Sequence, residues 1–179
     1  YMLSTTGADM SALLCWIIKK ACDHPEWLER IANEGSVESK TAMAERFVME
    51  TLRMRQSEFI YRAVVQDIDF DGFRVPRGWL LRVCVWESHR DPDVFTDPDC
   101  FNPERFLNRS YSRTEYSTLG ASTHACLAAY LVNYVASTFV LEMASRFVIS
   151  NPGSGLVELA SSRHWAPGAA FRIRIRPQQ

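Results

Sequence analysis

The stretch that most restricts this chain is Leu-Ala-Ala-Tyr-Leu-Val-Asn-Tyr-Val-Ala-Ser-Thr-Phe-Val-Leu-Glu-Met-Ala-Ser-Arg-Phe, from Leu127 to Phe147. A helix this apolar must be buried in protein or in lipid. Its length approaches the roughly 20 residues that cross a bilayer. Asn133 and Glu142 interrupt it, and a buried core helix is the expectation. Directly before it, Tyr116 to Ala128 is a run of small and polar residues that leads to one cysteine, Cys126. Two roles are open to such a cysteine. A thiol at a helix N-terminus faces the positive end of the helix dipole and free N–H groups, which favour a thiolate able to bind metal. Gly120 and its small neighbours would then let a flat cofactor approach the backbone, and His124, two residues before the sulfur, would meet an anionic group on it. The other role is a buried structural thiol in front of a core helix, since free cysteine is often buried.

The rest of the chain alternates helical and strand-like pieces. Ser4–Cys22 carries Leu13, Leu14, Ile17 and Ile18 at helical spacing. Asp23 is the expected N-cap of a second helix, with Pro25 in its first turn and a stop near Gly35. A third helix is expected from about Lys40 to Arg55, with Met43, Phe47, Val48 and Leu52 on its buried stripe. Glu50 and Arg53, three apart, share a face of that helix. A buried pair needs further partners, and Arg105 can supply one. Glu58–Val65 reads as a strand, and Trp79–Trp86 as another that runs into a short helix before His89. Between them, Asp71-Gly72 and Pro76-Arg77-Gly78 are turn signals that delimit short antiparallel strands. The proline-rich segment from His89 to Pro103 shows little periodicity. His89 has no second histidine at ligand spacing, which excludes a metal site there. Phe171–Arg176 alternates as a half-buried strand does, with its arginines on the solvated face.

Three motifs stand in a fixed order: Glu50-Thr51-Leu52-Arg53 in a helix, Phe101-Asn102-Pro103-Glu104-Arg105-Phe106, and a cysteine loop with a basic residue two before Cys126. With Arg62 shortly after the helix, this order resembles the cytochrome P450 family of haem-thiolate monooxygenases. The resemblance runs along essentially the whole chain, but covers only the C-terminal half of that family's fold, from its central long helix onward. It implies a mainly α fold with small antiparallel β-sheets (α+β), residues 1–179 forming a single or partial haem-binding domain. It also implies haem b held by the Cys126 thiolate, with Arg62 and His124 on its propionates and Gly7 and Gly120 close to it. Glu50, Arg53 and Arg105 would form a buried network that fixes the loops on the thiolate side. Thr6-Gly7-Ala8-Asp9-Met10-Ser11 is similar to the family's oxygen-side motif, in which Asp9 would relay protons.

The implied reaction inserts one oxygen atom from dioxygen into a small organic substrate. Electrons would come from a ferredoxin, flavodoxin or reductase. Four residues depart from the family pattern. Met10 replaces a threonine, and a thioether cannot donate a hydrogen bond. Leu119 replaces an aromatic ring, Ser122 a glycine, and Ala128 another glycine. These departures motivate an alternative: a haem-free or divergent relative with a binding or structural-subunit role.

Composition sets the remaining bounds. The chain has 179 residues, 47% hydrophobic and 23% charged, so it is globular and not disordered. A formal net charge of -1 gives no case for nucleic-acid binding. Five widely spaced cysteines suit a reducing compartment, and the expectation is cytoplasmic, with no membrane span. Tyr1 precedes Met2 and the chain opens on a helical pattern. A piece of a longer chain, or half of a two-chain assembly, is therefore expected, with a partner chain or self-association covering an exposed apolar face.

Overall fold

Alternation of long amphipathic segments with short aromatic and β-branched ones yields helices that build the core and two-stranded ladders that hang from it. The computed structural model describes residues 2–55, 59–151, 159–160, 165–166 and 171–178. In chain order the elements are α1 (Met2–Asp23), α2 (Pro25–Asn33), α3 (Val37–Met54), β1 (Phe59–Ala63), β2 (Ile68–Phe70), β3 (Phe73–Val75), β4 (Leu80–Cys84), α4 (Val85–Ser88), α5 (Arg105–Asn108), α6 (Ala129–Arg146), β5 (Phe147–Ser150), β6 (Leu159–Ala160), β7 (Trp165–Ala166) and β8 (Arg174–Pro177).

The core lies among α1, α2, α3 and α6, which pack against one another. Leu13, Ile17 and Ala21 of α1 meet Trp27, Leu28 and Ile31 of α2, and Met43, Phe47, Val48 and Leu52 of α3. The predicted stripe of α3 is thus the buried one. That helix starts earlier than its periodicity suggests, because Ser36 caps it: its hydroxyl accepts from the Ser39 N–H at 3.1 Å. Asp23 does not cap α2. It closes α1, where its carboxylate pairs with Lys19 at 2.7 Å, and His24 takes the N-cap position without a side-chain bond. The i, i+4 neighbour outcompetes the cap because Lys19 lies one turn back on the same helix face.

Helix α6 is shorter than the apolar run by two residues at its start and one at its end. Its burial is one-sided. Ala136, Val140, Met143 and Ala144 enter the core, while Leu127 just before it is 92% exposed and Tyr130 is 85% exposed. Phe147 leaves the helix to open β5, which pairs antiparallel with β8. The ladder begins at Arg174, so residues 171–173 of the expected strand precede it. Arg174 and Arg176 are solvated as expected, but Ile175 is exposed too.

Both turn signals are realised. Asp71 (φ 48°) and Gly72 (φ 79°) sit consecutively in the left-handed region between β2 and β3, the geometry of a two-residue hairpin. Gly78 (φ 89°) follows Pro76 and brings the chain back so that β4 pairs with β1, with Arg62 opposite Leu81. Among the described residues no helix is long and apolar enough to cross a membrane.

Candidate functional site

Glu50 and Arg53 are both 0% exposed on the inner face of α3. Their pairing is bidentate: Arg53 Nε donates to Glu50 Oε2 at 2.8 Å and Nη2 to Oε1 at 2.9 Å. Two buried charges alone would not recover their lost hydration. The remaining valences are filled from the irregular segment between α4 and α5. Arg53 donates to the His89 carbonyl and the Pro98 carbonyl, each at 2.7 Å. Glu50 accepts from the Asn102 N–H at 2.9 Å and from Arg105 Nε at 3.1 Å. Arg105 in turn donates to the Thr96 carbonyl at 2.8 Å. The segment that shows little periodicity in sequence is therefore ordered by two guanidinium forks binding its carbonyls.

The cysteine loop is fastened to this network at its base. The Tyr116 hydroxyl donates to the Met49 carbonyl of α3 at 2.9 Å, and the Ser117 N–H donates to His89 Nε2 at 3.0 Å. Burial pushes the Tyr116 phenol well above its ordinary value, so it stays a donor. The loop closes on itself where the Cys126 N–H reaches the Leu119 carbonyl at 2.7 Å. Leu119 packs against the helical core, which an aliphatic side chain does as well as the aromatic ring expected there. Ser122 has φ 51°, so the residue standing in place of a glycine adopts the conformation glycine favours. Gly120 has φ 79°, and a Cβ there would run into the His124 carbonyl.

Cys126 is exposed in this chain, so it is not buried against the core helix that follows it. His124 is exposed on the short 3₁₀ turn Ser122–His124. Arg62, on β1, is partly buried and donates to the Tyr61 carbonyl at 2.8 Å. Gly7 and Asp9 are exposed on α1, and a Cβ on Gly7 would meet open space. The Gly7 carbonyl accepts the Ser11 hydroxyl at 2.8 Å, so that hydroxyl is turned back onto its own helix. Glu50, Arg53 and Arg105 are joined directly, whereas Asp9 stands on α1, Arg62 on β1, and His124 and Cys126 together on the cysteine loop. Sequence reasoning passed over His89 and Tyr116. Each ties the loop to the network through one hydrogen bond of its side chain, and no spacing rule announces such a bond. Among the described residues no cluster of three or more His, Cys, Asp or Glu side chains could hold a metal ion.

The residues around Cys126 fit a flat, anionic iron macrocycle. The donor is a soft, exposed thiol. Gly120 lets the loop turn tightly against the His124 carbonyl, and His124 and Arg62 are cationic or ionisable groups suited to carboxylates.

The fold is that of cytochrome P450 haem domains. It superimposes on a retinoic acid-bound cyanobacterial cytochrome P450 with a TM-score of 0.84, over 95% of this chain and 43% of that one, at 22% identity. A second solved P450 haem domain gives a TM-score of 0.80 over 96% of this chain and 42% of that one, at 20% identity. The chain belongs to the cytochrome P450 family, whose model matches residues 9–152. It is 30% identical over 165 residues to an abscisic acid 8'-hydroxylase of Solanum lycopersicum, covering 82% of this chain and 34% of the relative. An abscisic acid 8'-hydroxylase of Oryza sativa subsp. indica is 32% identical over 133 residues, 65% of this chain and 26% of the relative. The chain thus spans about a third or less of the length of these curated relatives.

Proposed function

We propose that this chain is the haem-binding C-terminal portion of a monooxygenase that hydroxylates a small organic substrate, with electrons from a ferredoxin, flavodoxin or flavoprotein reductase. The observation that carries this reading is an exposed thiol, Cys126, on a loop pinned at both ends and bordered by uncovered apolar residues of α6. The names of the relatives, all hydroxylases, support the reaction class.

Haem, when bound, supplies the redox iron for activating dioxygen. Cys126 would be its thiolate ligand, and Arg62 and His124 would hold its carboxylates. Asp9, two residues from Gly7, would deliver a proton from its carboxyl group. Met10 offers no donor there, and Ser11 already spends its hydroxyl on Gly7. A divergent or haem-free relative with a binding or structural-subunit role is the second reading. It is favoured by Met10 and by the left-handed Ser122, a residue that strains the loop where glycine would not.

The absorbance spectrum of the purified, haem-supplemented protein, reduced with and without carbon monoxide, separates the two. A red-shifted Soret band that disappears in Cys126→Ala is the expected result. A protein that stays colourless after supplementation would overturn the first reading for this chain and favour the second.

A further inference from the structure

His89 is fully buried on the turn after α4 and has no part in the cofactor contacts assigned above. Its Nδ1 lies 2.8 Å from the Val85 carbonyl. A carbonyl only accepts, so Nδ1 carries the proton and Nε2 presents a lone pair. That lone pair accepts the Ser117 N–H at 3.0 Å. The backbone carbonyl of the same residue accepts Arg53 Nη1 at 2.7 Å. One residue therefore couples the buried Glu50–Arg53–Arg105 network to the base of the Cys126 loop. An imidazolium cannot make the same set of bonds, because its Nε2–H would point at the Ser117 N–H.

We propose that His89 is a positioning residue for the Cys126 loop and acts as a proton-sensitive latch: the neutral imidazole fastens Ser117 to α4, and protonation releases it. The consequence for the sulfur rests on the reading of Cys126 as an iron ligand; the latch itself does not.

The surroundings oppose protonation from several sides. The rings of Phe95 and Tyr116 lie against the imidazole, with centroids 5.9 Å and 5.8 Å away. Arg53 approaches from α3 and Arg90 is the next residue. Glu50 offsets the first, and Asp99 pairs with the second at 3.2 Å. Burial chiefly, and then the two guanidinium groups, hold the His89 pKa below its ordinary 6.5, although the bond to Val85 works the other way. The unfolded chain therefore takes up the proton at a higher pH than the folded one. The contribution of the latch is complete above about pH 6.5. It declines as pH falls below that value, and levels off once the folded-state pKa is passed.

Hydrogen exchange at the Ser117 amide, expressed as a protection factor in the haem-supplemented protein, tests this. Protection should be flat above about pH 6.5 and fall by up to about tenfold per pH unit below it. His89→Gln keeps an acceptor for Ser117 but cannot titrate in this range, so protection should persist and the acid step should vanish. His89→Phe fills the site without an acceptor, so protection should be low at every pH. An unchanged acid step in His89→Gln, or Ser117 protection in the wild type that ignores pH, would overturn the proposal.

If neither variant folds, a ¹⁵N titration of the wild-type imidazole decides. A His89 midpoint at the pH where Ser117 protection stops falling supports the latch, and a different midpoint refutes it. The reduced carbon monoxide spectrum should lose its red-shifted band on the same acid step in the wild type but not in His89→Gln. If that band never forms while the Ser117 step is present, the latch stands and the assignment of Cys126 falls.

Discussion

Glu50 receives hydrogen bonds from two arginines and one backbone N–H while fully removed from water. Such a group tolerates no half measures. Truncating Arg53 leaves a buried carboxylate short of a partner and orphans the carbonyls of His89 and Pro98 at once. Arg53→Ala should cost about 3–5 kcal/mol, read as a lowered midpoint in urea. Arg53→Lys should recover little of it, because an ammonium cannot grip the carboxylate through two parallel N–H groups and reach both carbonyls. A near-wild-type midpoint for the lysine variant would show that charge, and not the fork, is what this position requires. The same residues give His89, considered in the sequence only as a metal ligand and excluded as one, two structural roles. Its carbonyl serves the network, its ring serves the loop, and only one of these involves the side chain.

At the scale of the element, the cysteine loop depends on backbone conformations that few side chains permit. Gly120 and Ser122 both lie in the left-handed region. Glycine reaches it without strain, whereas other residues lose about 1–2 kcal/mol there. Ser122→Gly should therefore stabilise the loop by about 1 kcal/mol, since the gain is reduced by the freedom glycine adds to the unfolded chain. Gly120→Ala should destabilise it by more than about 2 kcal/mol, because the new Cβ meets the rigid carbonyl of His124 as well as an unfavourable φ. Thermal midpoints of the two variants should move in opposite directions. Movement in the same direction would mean that the loop relaxes as a unit and stores no local strain. The β2–β3 hairpin, by contrast, has Asp71-Gly72 where its turn requires left-handed residues, which is why the turn was legible in the sequence.

At the scale of the whole molecule, the apolar surface left open is the dominant feature. Leu127, Tyr130, Leu131 and Tyr134 are exposed at the start of α6, and Trp79 and Leu80 at the start of β4. Contiguous surfaces of this kind drive association unless another part of the protein covers them. The 179-residue chain by itself should self-associate in a concentration-dependent way in sedimentation velocity. Replacing Leu127 and Leu131 with lysine should shift it toward monomer with its far-ultraviolet spectrum unchanged. A wild-type chain that remains monomeric at high concentration would refute this.

The sequence by itself determined the long helices and the hairpin turns, and its resemblance to a known family implied that Glu50, Arg53 and Arg105 share one network. The first two follow from periodicity and from residues with special backbone freedom, and charges that cannot be buried singly make the third physically reasonable. Only the tertiary structure decided the rest. It moved Asp23 from a cap to an ion pair with Lys19, and turned the Ser11 hydroxyl back onto Gly7. It buried one side of α6 and not the other, and it placed His89 between the ion network and the cysteine loop. These outcomes depend on which groups meet across tens of residues of chain. Local propensity is blind to such meetings, because the competing partners are equal until folding brings one of them within hydrogen-bonding distance.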